Sequence, residues 1–303
     1  MRLQKIFNSS FIKRSAVFGL SAAGLFCVCV PVNAQRAGGA RDQQSVRVMD
    51  RIDAQEGAQR LEAFRQQRLE GDFCFDFELA HKPRRARTVR YQGRMWGTWN
   101  EVGPITRFSV QPAEGDAEAV VELIIQNGEH PQVWMRRSQQ AAFELLQGVA
   151  LFEPILPGLL YSPFDLQMPF VYWDDFIYEG PTLVGATRVA QQFLMQPPEA
   201  SASAERGIVG VRVGLDDTYN ALWRIEVIGA DGEATSRFAV ESFQKVQEQY
   251  IVKRITLTDY PSKDRTTFDV KAAAVGVALD RYLFAPESTR SVDELRPLRM
   301  EDL

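Results

Sequence analysis

The chain has 303 residues, with 35 Lys and Arg against 39 Asp and Glu and a formal net charge of −4. That acidic balance argues against nucleic acid as the main partner, because phosphate binding needs surplus cations. With 45 % hydrophobic residues and three cysteines, the fold must rest on the apolar core of one large domain or two small ones, not on disulfides.

Arg2, Lys5, Lys13 and Arg14 make a basic start with no carboxylate before Asp42. An apolar run follows from Ala16 to Val32, and Val32-Asn33-Ala34 offers small residues at a cleavage position. This order predicts a secretory signal peptide over 1–34, cleaved after Ala34. The alternative, an uncleaved anchor, has to use a run that is short and interrupted by Gly19, Gly24 and Pro31. The bulky residues before Cys27 and Cys29 do not suit a lipoprotein signal. Residues 35–303 are then expected as a single periplasmic domain, more acidic than the full chain and retaining only Cys74. With Asp76 and Glu78 as its ionisable neighbours and no base, Cys74 reads as an inert strand residue.

Residues 41–70 carry Val48, Ile52, Ala58, Leu61, Phe64 and Leu69 at helical spacing, which predicts one helix stopped by Gly71. The period then changes to two. In 73–79, Phe73, Phe75, Phe77 and Leu79 share one face, with Cys74, Asp76 and Glu78 on the other. Further strands are expected over 88–99, 104–111, 118–127, 131–138, 187–196, 207–215, 221–229, 235–243, 250–258 and 265–272. Turn signals separate many of them, among them Glu114-Gly115-Asp116, Asn127-Gly128 and Ala230-Asp231-Gly232. Strands 207–215 and 221–229 read as a hairpin. About eleven antiparallel strands at this spacing suggest one long curved sheet or an incomplete barrel.

Between 141 and 180 the pattern breaks. Ala141–Val149 reads as a short helix, and a greasy stretch interrupted by Pro154, Pro157, Pro163 and Pro169 follows. Its aromatic and aliphatic side chains must be covered by sheet, ligand or partner. A plug for the barrel end and a lid facing a ligand are equally compatible with that hydrophobicity. From about residue 286 the chain reads as a flexible tail.

No catalytic constellation emerges, and no metal or cofactor site. His81 and His130 read as surface turn residues without the spacing of a metal pair or triad. Asp174-Asp175 and Asp216-Asp217 read as solvated turns. The run Lys82, Arg84, Arg85, Arg87, Arg90 is read first as a solvated hairpin end, with acidic headgroups or an acidic partner as the alternatives.

The block YSPFDLQMPFVYWDDF, residues 161–176, with Ser162-Pro163-Phe164-Asp165-Leu166 leading into Met168-Pro169-Phe170 and Tyr172-Trp173, resembles the outer-membrane lipoprotein-sorting, LolA-like family. Gly71-Asp72-Phe73 after a helix, Gly93 to Gly97 and Ile251 to Leu257 are similar to the family's strands in the same order, so the resemblance covers residues 45–286. It implies an unclosed antiparallel barrel with an N-terminal helix and a lid of short helices, enclosing a cavity for acyl chains. The function implied is that of a carrier which binds lipid without changing it. On that reading Phe75, Phe77, Met95, Trp99, Val121, Leu123, Val211 and Val213 line the cavity, each on the apolar phase of its strand. Phe164, Met168, Phe170, Tyr172 and Trp173 form the lid. The partners implied are acyl chains of lipids or lipoproteins, with an inner-membrane transporter or an outer-membrane acceptor. The competing reading is an envelope interaction module whose barrel is filled by its own side chains.

Overall fold

The computed structural model describes residues 27–28 and 51–303, apart from 115–118, 129, 185–187, 289–291 and 293–296. Most of the proposed signal peptide, residues 41–50 of the expected helix and part of the Glu114-Gly115-Asp116 turn lie outside the described residues. Two residues of the segment expected as a signal peptide, Cys27–Val28 (β1), pair with a later strand.

The N-terminal helix is shorter than its periodicity suggests. It spans Ala54–Arg65 (α1), because the Asp53 carboxylate accepts the Glu56 backbone N–H at 2.8 Å and fixes the start. Leu69 is buried beyond its end, and Gly71 takes φ 79° to turn the chain into the sheet.

The strands are Asp72–Lys82 (β2), Val89–Trp99 (β3), Pro104–Pro112 (β4), Val121–Gln126 (β5), Gln132–Arg136 (β6), Glu144–Leu145 (β7), Phe176–Val184 (β8), Arg188–Met195 (β9), Gly210–Asp216 (β10), Leu222–Ile228 (β11), Ala234–Val246 (β12), Gln249–Asp259 (β13), Arg265–Val277 (β14) and Glu301–Asp302 (β15). Together with β1 they form one antiparallel sheet of 15 strands among the described residues, where about eleven were expected. Its continuous path is two meanders joined at the middle, β7 back to β2 and then β14 back to β8. The ends, β7 and β8, do not pair, so the barrel is unclosed.

Two elements differ from expectation. Residues 141–149 form no α-helix: Glu144 and Leu145 pair with Met135 and Trp134, and a 3-10 turn over Gly148–Phe152 follows from the positive φ of Gly148. Phe176–Val184, whose residues up to 180 were expected in the lid segment 141–180, is an edge strand. Pro181 is tolerated there because an edge strand needs one set of ladder bonds only.

Alternation sorts the side chains. Phe73, Phe75, Phe77 and Leu79 face the concave side and join one large apolar cluster with Met95, Phe108, Val213, Phe238 and Phe268. Gly93 and Gly97 stand opposite Phe77 and Phe73 across the β2–β3 ladder, where a side chain would overlap the rings. The convex face holds a smaller cluster of Cys74, Trp96, Ile105, Ile124, Ala274, Leu283 and Phe284. Leu298 and Met300 pack against it, and Glu301–Asp302 pairs with β14, so these residues of the expected flexible tail are docked on the sheet.

Candidate functional site

Residues 146–175 connect the two unpaired sheet edges, so they must cross the open side of the barrel. Proline punctuation cuts this crossing into short pieces. Ser162 caps the helix Pro163–Gln167 (α2): its hydroxyl accepts from the Asp165 N–H at 3.3 Å, while the Asp165 carboxylate accepts from the Ser162 N–H at 2.8 Å and from its hydroxyl at 2.6 Å. Met168 then takes φ 51° and ψ 54°, a left-handed conformation that ends α2 and lets a 3-10 turn start at Pro169.

The apolar faces of these pieces turn inward. Phe164, Met168, Phe170 and Trp173 are buried in the concave cluster, and Tyr172 packs against it half-buried. Their rings form a chain of contacts, Phe152 to Phe164 at 4.8 Å, Phe164 to Phe170 at 5.7 Å and Phe170 to Trp173 at 6.2 Å. The tethers to the rest of the protein are polar. Arg65, in the last turn of α1, donates to the carbonyls of Val171 and Trp173 at 2.7 and 2.6 Å. Asn127 donates to the Gln167 carbonyl at 2.9 Å, and the Tyr91 hydroxyl donates to that of Pro157 at 2.7 Å.

Two clefts flank this lid. One of about 530 Å³ is walled by Leu151, Phe152, Phe164, Tyr172 and Trp173, with Glu62 and Arg65 of α1 at its edge. The other, about 370 Å³, lies among Phe152, Leu160, Phe164, Ile208, Val227 and Leu257 and reaches Asp259 and Pro261 at a hairpin turn. Phe152 and Phe164 belong to both, so the two rings are the partition between the clefts. A groove of about 550 Å³ on the convex face is walled in part by Asp76, Glu78, Arg94 and Lys271, charges that offer little shelter to an apolar ligand.

Of the residues singled out from the sequence, Phe75, Phe77, Met95, Val121, Leu123, Val211 and Val213 are all buried in the concave cluster beneath the lid. Trp99 is not among them. It is half-buried at the end of β3, with the Arg68 guanidinium 5.7 Å from its ring. Arg65 was missed, and Phe152 and Leu160 were read as part of the greasy stretch without being singled out as lid residues. A basic last-turn residue has a generic look, and its acceptors are main-chain carbonyls more than a hundred positions away.

Burial governs the titratable groups. It pushes the Asp165 carboxyl up to about 6, against hydrogen bonds from Ser162 that pull it down. It also raises the Tyr161 phenol, whose hydroxyl is buried in the concave cluster with no hydrogen-bond partner among the described residues. The Cys74 thiol is pushed up to about 12, a protonated sulfur with no nucleophilic character at neutral pH. His81 is not a surface turn residue: it is buried on β2, with Nδ1 2.9 Å from the Thr266 hydroxyl. Asp216 is likewise buried, accepting the Thr218 and Tyr219 N–H groups, and Asp217 pairs with Arg60 at 2.8 Å.

No protein-family model matches the sequence, and no curated protein matches it. Solved structures do share the fold. A DUF1329 family protein from Desulfovibrio piger superposes with a TM-score of 0.65 at 10 % identity, covering 76 % of this chain and 96 % of that one. An outer membrane lipoprotein-sorting protein domain from Vibrio parahaemolyticus gives 0.63 at 13 % identity, covering 76 % and 95 %. A LolA superfamily protein from Nitrosomonas europaea gives 0.55 at 12 % identity, covering 77 % and 98 %. The fold of this chain is therefore LolA-like.

Proposed function

We propose that the chain is an exported, non-enzymatic carrier or binder of the acyl chains of lipids or lipoproteins in the envelope of a bacterium. The observation that carries this reading is the lid: an aromatic segment spanning the open side of the barrel, tethered by a few polar contacts and flanked by two clefts that meet at Phe152 and Phe164. The clefts fall in the size range of ligand pockets. On this reading, moving the two rings joins the clefts into one apolar space bordered by Leu151, Leu160, Ile208, Val227 and Leu257.

A carrier must keep acyl chains from water, at about 0.8 kcal/mol per methylene, and must also release them. Short helical pieces joined at prolines and held by main-chain hydrogen bonds suit a cover that lifts as a unit. The LolA-like fold and the lipoprotein-sorting domain among its structural neighbours support an acyl cargo and a periplasmic address. On this reading the protein takes its cargo from an inner-membrane donor and passes it to an outer-membrane acceptor.

The burial of Phe164, Met168 and Phe170 favours one rival, a barrel filled by its own side chains that serves as a docking module. Uptake of a fluorescent fatty acid separates the two. The carrier takes it up saturably and loses it to competing palmitate; a self-filled barrel leaves the probe free.

A further inference from the structure

The β2–β3 hairpin places Lys82, Arg84, Arg85 and Arg87 at its tip, all exposed, and none forms an ion pair among the described residues. The neighbouring β13–β14 hairpin adds to the patch. Its Arg265 stands opposite Lys82 in the ladder, and exposed Lys263 sits in the turn. The carboxylate between them, Asp264, accepts the Arg84 backbone N–H at 2.8 Å. Six cations thus share one end of a chain whose net charge is −4. Folding does not need them there, since like charges held together repel and these make no ion pairs among the described residues.

We infer that this double hairpin tip docks the protein on an anionic phospholipid surface. The patch is carried on two hairpin turns and the strand ends beside them, and all six of its cations are exposed. A peptide would be gripped through a groove or a sheet edge, and none of the six cations lines the cleft beside the tip. A nucleic acid would be gripped through several aromatic side chains interleaved with the cations, whereas the turn carries Tyr260, whose ring already lies 5.5 Å from the Lys263 ammonium. A plane of headgroup phosphates needs only dispersed, mobile, unpaired cations. The same β13–β14 turn supplies Asp259 and Pro261 to the rim of the 370 Å³ cleft. Docking therefore brings that mouth against the bilayer, a point that rests on the carrier reading, whereas the docking itself does not.

The test is co-sedimentation of the purified protein with phosphatidylcholine vesicles, with and without phosphatidylglycerol, at low and high salt. Binding is expected only with phosphatidylglycerol and is lost at high salt. The variant carrying Lys82→Gln, Arg84→Gln, Arg85→Gln and Arg87→Gln should bind roughly ten-fold more weakly or worse. The Arg84→Lys, Arg85→Lys, Arg87→Lys variant should retain binding, since charge and not fork geometry is read. Equal binding to neutral vesicles, no loss in the Gln variant, or tighter binding to polyglutamate than to the vesicles overturns the inference. Fatty-acid uptake by the Gln variant reports on the carrier reading separately: uptake without vesicle binding retains the carrier and locates the lost function at the tip.

Discussion

The Arg65 guanidinium reaches the main-chain carbonyl of Trp173 at 2.6 Å, and its Nε reaches that of Val171 at 2.7 Å. One side chain from α1 thereby holds the C-terminal half of the lid. Its head is mostly shielded from solvent, which strengthens both bonds. Replacing Arg65 with Leu should cost about 2 kcal/mol locally, the usual worth of charge-assisted hydrogen bonds. Amide hydrogen exchange should accelerate over residues 163–173 and stay unchanged in β2 and β14. Unchanged lid protection would show that Arg65 is not a tether.

Phe152 and Phe164 divide the two clefts. Phe164→Ala removes a buried ring and should lower stability by about 3 kcal/mol, whereas Phe152→Ala, half-buried, should cost less. Both should raise the rate of fluorescent fatty-acid uptake by joining the clefts. Stopped-flow mixing measures that rate, and a slower uptake in Phe152→Ala would contradict the partition.

The Asp165 carboxyl, raised to about 6 by burial, binds its proton more tightly in the folded chain than in the unfolded one. Its contribution is fully present below the ordinary carboxylate value near 3.8 and falls as pH rises through about 6, by at most about 3 kcal/mol. Asp269 works in the opposite sense. Burial raises it, but hydrogen bonds from Arg254, Lys271 and Lys253 outweigh that and hold it at about 2. Its contribution is present above about 3.8 and lost as pH falls toward 2. Lid exchange should therefore quicken between about pH 4 and 6, and Asp165→Asn, which keeps an acceptor for the Ser162 N–H, should flatten that dependence. A pH profile unchanged in Asp165→Asn would assign the effect to another group.

Tyr161 buries a hydroxyl without a hydrogen-bond partner among the described residues, and its ring meets that of Phe238 edge-to-face with centroids 5.8 Å apart. An unpaired buried hydroxyl costs about 1–3 kcal/mol, so Tyr161→Phe should be neutral or stabilising in the cargo-free protein, with a raised Tm. Marked destabilisation would place a water or ligand atom on that oxygen.

The sequence made the concave wall legible because period-two alternation is unambiguous in β2: Phe73, Phe75, Phe77 and Leu79 cannot swap faces without burying Asp76 and Glu78. The hairpin of β10 and β11 was legible for the same reason. Phe143, Leu146 and Val149, spaced by three, imitate a helix, yet residues 144–145 pair with β6 because that edge was open. Gly180 and Pro181 hid β8, since they read as breakers until an edge position makes them harmless. Trp99 shares the alternation of Met95 but sits at the strand end, where phase no longer guarantees depth. The burial of His81 depends on a partner, Thr266, that local sequence does not reveal.

The central claim is that the space beneath the lid holds acyl chains. Native mass spectrometry of the protein purified from its own envelope fraction, followed by lipid extraction, tests it most directly. The carrier account expects a population heavier than the bare chain by the mass of an acylated species, which extraction recovers. A bare protein that also fails to take up a fluorescent fatty acid, in the wild type and in Arg65→Leu alike, would contradict it.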